Sequence, residues 1–186
     1  MHFWPNWSAL PNTNKMNEKP RIIVIDDKAQ DCETISDILL QNKDQGYEVE
    51  IAKSGKEALE KIKGKFFAAA LIDIRLPDTN GLELLKEIKI YSPKTEALMI
   101  TAYTLLEDAV KALNLGAFSY LAKPINMGEL LVKIGRALEK QAMDKELQKE
   151  IRKLEEKNKE AVERELRIIE MEKEIEALKQ EVSHAK

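Results

Sequence analysis

The sequence predicts an α/β fold, a five-stranded parallel sheet between two layers of helices, whose last helix continues into a long coiled coil. Three features predict it. Between Arg21 and about Glu139, five short apolar runs alternate with longer amphipathic stretches, which is the pattern of βαβ units. Three of the runs, Ile22 to Ile25, Ala68 to Ile72 and Ala97 to Ile100, are apolar at every position, as parallel strands covered on both faces must be. From Glu139 to Lys186 there is no Gly, Pro or aromatic residue, and 26 of 48 positions are charged, 14 acidic and 12 basic.

Met1 to Pro20 carries both tryptophans and no apolar periodicity, so residues 1–20 read as a disordered tail. A docking peptide built on Phe3, Trp4 and Trp7 is the rival, and a native start at Met16 is a further reading. No basic segment followed by an apolar stretch marks a signal peptide, so export is not expected. Residues 21–139 form the globular domain. Its strands are placed at Ile22 to Ile25, Glu48 to Ala52, Ala68 to Ile72, Ala97 to Ile100 and Phe118 to Ala122. Its helices fall at about 29–42, 55–63, 81–91, 105–115 and from 127 onward, between breakers at Gly46, Gly64, Pro93, Gly116 and Pro124. Right-handed crossovers turn this order into a three-layer sandwich. Val110, Leu113 and Leu115 on the fourth helix are read as packing residues rather than a docking surface.

Residues 140–186 form the helical extension. Leu147, Ile151 and Leu154, and then Ile168, Met171, Ile175, Leu178 and Val182, follow heptad-like spacings. The two registers do not join, because continuing the first places Asn158, Ala161 and Glu165 on the seam, which implies a stutter. A single helix cannot bury such a seam, so a homo-oligomer is expected; the rival is a solvated helix held by charge pairs.

Composition narrows the function classes. The 186 residues carry a net charge of −3, with 44% hydrophobic, 34% charged and 5% aromatic. Near-neutrality argues against a general nucleic-acid binder, and direct nucleic-acid binding is not expected. No apolar run reaches the roughly 20 residues of a membrane span, so no membrane insertion is expected. The lone Cys32 excludes a disulfide framework and favours a reducing, cytoplasmic setting.

Ligands of parallel α/β sheets bind beyond the carboxyl ends of the strands. There the sequence places Asp26 and Asp27 after the first strand, Asp73 at the third, Thr101 at the fourth and Lys123-Pro124 after the fifth. Crowded carboxylates repel unless a cation sits among them. An all-oxygen set, with His2 and His184 in opposite tails, favours Mg²⁺ or Mn²⁺ over zinc. Carboxylates, a divalent ion, the Lys123 ammonium and the Thr101 hydroxyl together suit the receipt of a phosphoryl group. No GxxxxGK[ST] or GxGxxG occurs, so Gly55 and Gly81 read as turn and helix-start residues, and DDKAQD suits no flavin phosphate.

Residues 21–139 resemble the receiver domain of two-component response regulators, through VIDD at 24–27, LIDIRLPDTNG at 71–81, MITAY at 99–103 and YLAKPI at 120–125. The resemblance implies a flavodoxin-like fold with strand order 2-1-3-4-5. It implies Asp73 as phosphoacceptor, supplied by a sensor histidine kinase, a phosphotransfer protein or a small donor. Asp27 and Asp73 would bind Mg²⁺ through side chains, Asp26 through a bound water and Arg75 through its backbone carbonyl. Lys123 would contact phosphoryl oxygens, with a cis Lys123-Pro124 bond. Thr101 and Tyr120 would form a switch pair, the Thr101 hydroxyl moving to the phosphoryl oxygens and the Tyr120 ring turning inward. Arg75 and Tyr103 occupy positions that tune phosphoryl lifetime, and their bulk suggests slow self-dephosphorylation. The chain is expected to be no enzyme beyond its own phosphorylation and dephosphorylation. The rival is a structural assembly module using domain and coil as scaffold; a phosphatase ranks last, because DxDx[TV] is absent at Asp73-Ile74-Arg75-Leu76.

Overall fold

The computed structural model describes residues 19–41, 46–102 and 106–184, and their side chains except at 106 and 176–184. The expected tail up to residue 18, with Phe3, Trp4, Trp7 and Met16, lies outside the described residues, as does Tyr103. The chain divides into two compact units, Met1–Gln141 and Ala142–Lys186.

The strands β1 (Arg21–Ile25), β2 (Glu48–Ala52), β3 (Ala69–Asp73), β4 (Glu96–Thr101) and β5 (Ser119–Ala122) form one sheet. Their order is β2-β1-β3-β4-β5 and every pairing is parallel. The helices are α1 (Ala29–Gln41), α2 (Gly55–Gly64), α3 (Gly81–Tyr91), α4 (Leu106–Asn114) and α5 (Met127–His184). This is the flavodoxin-like three-layer arrangement the sequence predicts.

Alternation along the strands divides one apolar sequence between two cores. Ile22, Val24, Leu71, Leu98 and Ile100 face α1 and the start of α5, where Ile35, Leu39, Leu130 and Ile134 cover them. Ile23, Ile25, Ile72 and Met99 face α2, α3 and α4, meeting Ile62, Leu84, Leu85, Ile88 and Ala112. β3 and β4 are buried at all their positions, because both flanks of the sheet are covered there.

Some boundaries differ from the apolar runs, and two strands extend beyond them to take in a carboxylate. β3 runs to Asp73, so the carboxylate is itself the last residue of the strand. β4 begins at Glu96, which the run excludes as charged; its side chain is 6% exposed and its carboxylate pairs with the Lys140 ammonium at 2.6 Å. Burying a carboxylate without such a partner would be prohibitive. β5 starts at Ser119, one residue later than expected. Gly116, at φ +89°, follows α4 in the left-handed region that favours glycine.

On α4 the expected packing role fails for two residues. Val110 and Leu113 are 47% and 52% exposed, and only Leu115 packs against the core. An amphipathic pattern shows that a helix has an apolar face; this sheet has room for only part of it.

Within the second unit, the large apolar side chains Leu147, Ile151, Leu154, Val162, Leu166, Ile168, Ile169, Met171 and Ile175 are each between 44% and 60% exposed. No helix of the described residues is long and apolar enough to cross a membrane.

Candidate phosphoryl-acceptor site

Parallel register builds the site. Ile25 pairs with Ile72, so Asp26 and Asp73 leave neighbouring strands at the same level. Thr101 pairs with Ala122, which delivers Lys123 to the same edge. The sequence-predicted Asp26, Asp27, Asp73, Thr101 and Lys123 thus converge at the carboxyl ends of β1, β3, β4 and β5.

Lys123 is the hub. Its Nζ donates to Asp26 Oδ2 at 2.6 Å, to Asp31 Oδ2 at 2.7 Å and to Asp73 Oδ2 at 2.7 Å. Burial pulls the ammonium pKa downward, yet the three carboxylates outweigh it and hold the pKa above the ordinary lysine value. Burial raises the Asp26 carboxyl above its ordinary range, against the pull of Lys123 and the Lys28 N–H. Asp73 is 6% exposed, and its Oδ1 accepts the Arg75 N–H at 3.1 Å. Two fixed donors therefore aim its two oxygens. The Lys123-Pro124 peptide is cis, as expected.

Asp26, Asp27 and Asp73 each bring a carboxylate oxygen within 4.8 Å of the other two. Three oxygen donors with no nitrogen or sulfur among them fit a hard divalent cation such as Mg²⁺ or Mn²⁺. Asp27 is the exposed member of the trio, which opens the cluster to solvent on one side.

Thr101 is buried, and its hydroxyl shares a hydrogen bond with that of Tyr120. Burial raises the Tyr120 pKa, and the bond with Thr101 opposes this. The Tyr120 ring packs against the α2–α3–α4 core. Thr101 and Tyr120, the two residues named as a pair by the resemblance, are thus brought together on the adjoining strands β4 and β5.

Sequence reasoning missed two carboxylates. Asp31 reaches Lys123 from the first turn of α1; it stood within DDKAQD, but its reach depends on where α1 begins. Asp78 accepts the N–H groups of Gly55 and Lys56 at 2.9 Å and so ties the loop after β3 to the start of α2. Its signal was a polar loop, PDTNG, directly after a candidate site strand. Gly81 serves a close approach: a Cβ there would lie 2.2 Å from the Asp73 carbonyl oxygen and 2.8 Å from Ile74 Cα. Gly55 begins α2 beneath the Ser54 cap. The expected turn and helix-start roles of both glycines hold.

Residues 22–135 match the family model of the response regulator receiver domain. The chain belongs to that family. This receiver is 41% identical over 121 residues to the transcriptional regulatory protein ZraR of Klebsiella oxytoca, covering 65% of this chain and 27% of that protein. It is 35% identical over 127 residues to the regulatory protein AtoC of Escherichia coli K12, covering 68% and 27%. The chain thus spans about a quarter of the length of these curated relatives. Among solved structures, a CheY-like receiver domain from Methanospirillum hungatei is 40% identical, with a TM-score of 0.63 over 68% of this chain and 99% of that one. The BeF3-activated DrrB receiver domain is 30% identical, with a TM-score of 0.60 over 66% and 99%. The name of ZraR attaches that protein to transcription, so the expectation of no nucleic-acid contact is not carried from this receiver to a longer chain of its kind.

Proposed function

We propose that this receiver takes a phosphoryl group on Asp73 from a phosphohistidine of a sensor kinase or phosphotransfer protein and signals through altered association. The observation that carries the reading is the Asp73 carboxylate, buried at the strand end and held by Lys123 and the Arg75 N–H. In the transfer an Asp73 oxygen forms a bond to phosphorus, the phosphorus–nitrogen bond of the donor breaks, and the electron pair stays on the histidine nitrogen. Asp26, Asp27 and Asp73, with the Arg75 backbone carbonyl, would hold Mg²⁺ or Mn²⁺. When bound, that cation supplies positive charge to the phosphoryl oxygens. Lys123 adds a fixed ammonium at the same edge, already oriented and so requiring little reorganisation during transfer. The protein turns over no separate substrate.

Output runs through two surfaces. Val110 and Leu113 leave α4 with an apolar face beside β5, whose Tyr120 is bonded to Thr101. The exposed apolar positions of α5 beyond residue 146 supply a coiled-coil seam for a second copy. A change in either surface is a population shift between two arrangements. Phosphoryl exchange with a kinase and the lone Cys32, a buried thiol, support a cytoplasmic setting.

Intact mass and light scattering, after incubation with acetyl phosphate and Mg²⁺, test the reading. Wild type gains one phosphoryl mass and changes its oligomer mass; Asp73→Asn does neither. Wild type that stays unmodified while folded and binding Mg²⁺ would favour the scaffold instead.

A further inference from the structure

An ammonium has three N–H donors. In this receiver all three donors of Lys123 are committed to carboxylates, at 2.6 Å to Asp26, 2.7 Å to Asp31 and 2.7 Å to Asp73. A phosphoryl oxygen arriving on Asp73 can reach the ammonium only by displacing one of them. The three are not equally held. The side chains of Asp26 and Asp73 are 2% and 8% exposed and belong to the strand ends, whereas Asp31 is 34% exposed and belongs to the first turn of α1. Asp31 can return to water at small cost, while the other two would have to be desolvated without a partner. Asp31 is also an additional negative charge at an edge that already holds Asp26, Asp27 and Asp73.

We propose that Asp31 is a positioning residue for Lys123, holding one ammonium hydrogen until a phosphoryl oxygen replaces it, and thereby weakening phosphoryl-group binding while strengthening divalent-cation binding. The proposal rests on the reading of Asp73 as phosphoacceptor. Its signature is a pair of opposite changes. Removing the Asp31 charge takes attraction from a dication and repulsion from an anion at the same edge, and it frees a donor for the anion. Loss of local structure would weaken both together.

The test uses the full chain with Asp31→Asn and Asp31→Ala. Asp37→Asn, the same charge change at an exposed position of α1, is the control. Calorimetric titration measures Mg²⁺ alone, then beryllofluoride at saturating Mg²⁺. Both Asp31 variants are expected to bind Mg²⁺ about three- to tenfold more weakly and beryllofluoride about three- to tenfold more tightly, the scale of one partly screened charge. Asp37→Asn should leave both constants within about 1.5-fold of wild type, since its charge is screened by solvent. Constants that fall together, stay unchanged or match the control would overturn the role of Asp31 while leaving Asp73 as acceptor. Wild type that binds no beryllofluoride and gains no mass from acetyl phosphate would overturn both.

Discussion

The Lys123 ammonium lies 2.7 Å from the Asp73 carboxylate across a separation of 50 residues. Such a contact is made only by the completed sheet, so it joins the chemistry of the site to the stability of the fold. Lys123→Met strands Asp26 and Asp73 without a cation in a buried setting. In metal-free buffer the unfolding free energy should fall by roughly 2–4 kcal/mol, somewhat less than for a fully enclosed pair. Mg²⁺ should restore much of that loss, because it neutralises the same oxygens and binds only the native state. Urea unfolding with and without Mg²⁺ checks this; a loss equal in both buffers would contradict it.

Gly81→Ala should damage the site from behind. The added Cβ would sit 2.2 Å from the Asp73 carbonyl and 2.8 Å from Ile74 Cα, and both are backbone atoms that cannot swing aside. The loop after β3 must shift, and the Gly81 N–H bond to the Ile74 carbonyl at 2.8 Å lengthens with it. Thermal unfolding should show a loss of about 1–3 kcal/mol, as for overpacking. The rate of Asp73 modification by acetyl phosphate should fall as well. Gly64→Ala, with nothing within 4 Å of its new Cβ, is the neutral comparison.

Asp78 gives a pH-dependent effect whose sign is fixed. The Lys56 and Gly55 N–H groups hold its carboxyl below the ordinary aspartate range. A depressed acid contributes stability that is present above the unfolded value of about 3.9 and is lost as pH falls through the folded value. Asp78→Ala should cost about 1 kcal/mol at pH 7, the scale of a lost helix cap. The gap from wild type should narrow as pH falls below the unfolded value and close once the wild-type carboxylate is itself protonated. Urea unfolding followed from about pH 7 down to acid pH, where the wild-type carboxylate protonates, measures the gap, and a gap that stays constant throughout would refute the assignment.

Much of this was legible in residue order because strands that are apolar throughout can only lie inside a covered parallel sheet. Their ends then have to share an edge, which brings Asp26, Asp73, Thr101 and Lys123 together from residue order alone. Asp31 was not legible in that way. Its contact depends on α1 starting at Ala29, which turns residue 31 toward the strand ends. It depends equally on an ammonium that arrives 92 residues later. Asp78 was hidden because its partners are backbone N–H groups, which carry no sequence signature. The exposure of Val110 and Leu113 was misjudged for a related reason: spacing marks an apolar face but not how much neighbouring structure remains to cover it.

The two ends of α5 should respond to truncation in opposite ways. Ile134 is fully buried against the sheet with Leu130 and Ala137. Ile134→Ala should therefore destabilise the receiver by about 2–5 kcal/mol, the cost of a core cavity. Met171 and Ile175 are each 51% exposed, so replacing them removes little that the single chain has buried. Met171→Lys with Ile175→Lys should leave the receiver's unfolding midpoint at low protein concentration nearly unchanged. It should nevertheless lower the light-scattering mass to that of one chain, because charged ammonium groups cannot be buried on a coiled-coil seam. A double variant that stays associated would place the contact elsewhere, with the exposed Val110 and Leu113 face of α4 the next surface to test.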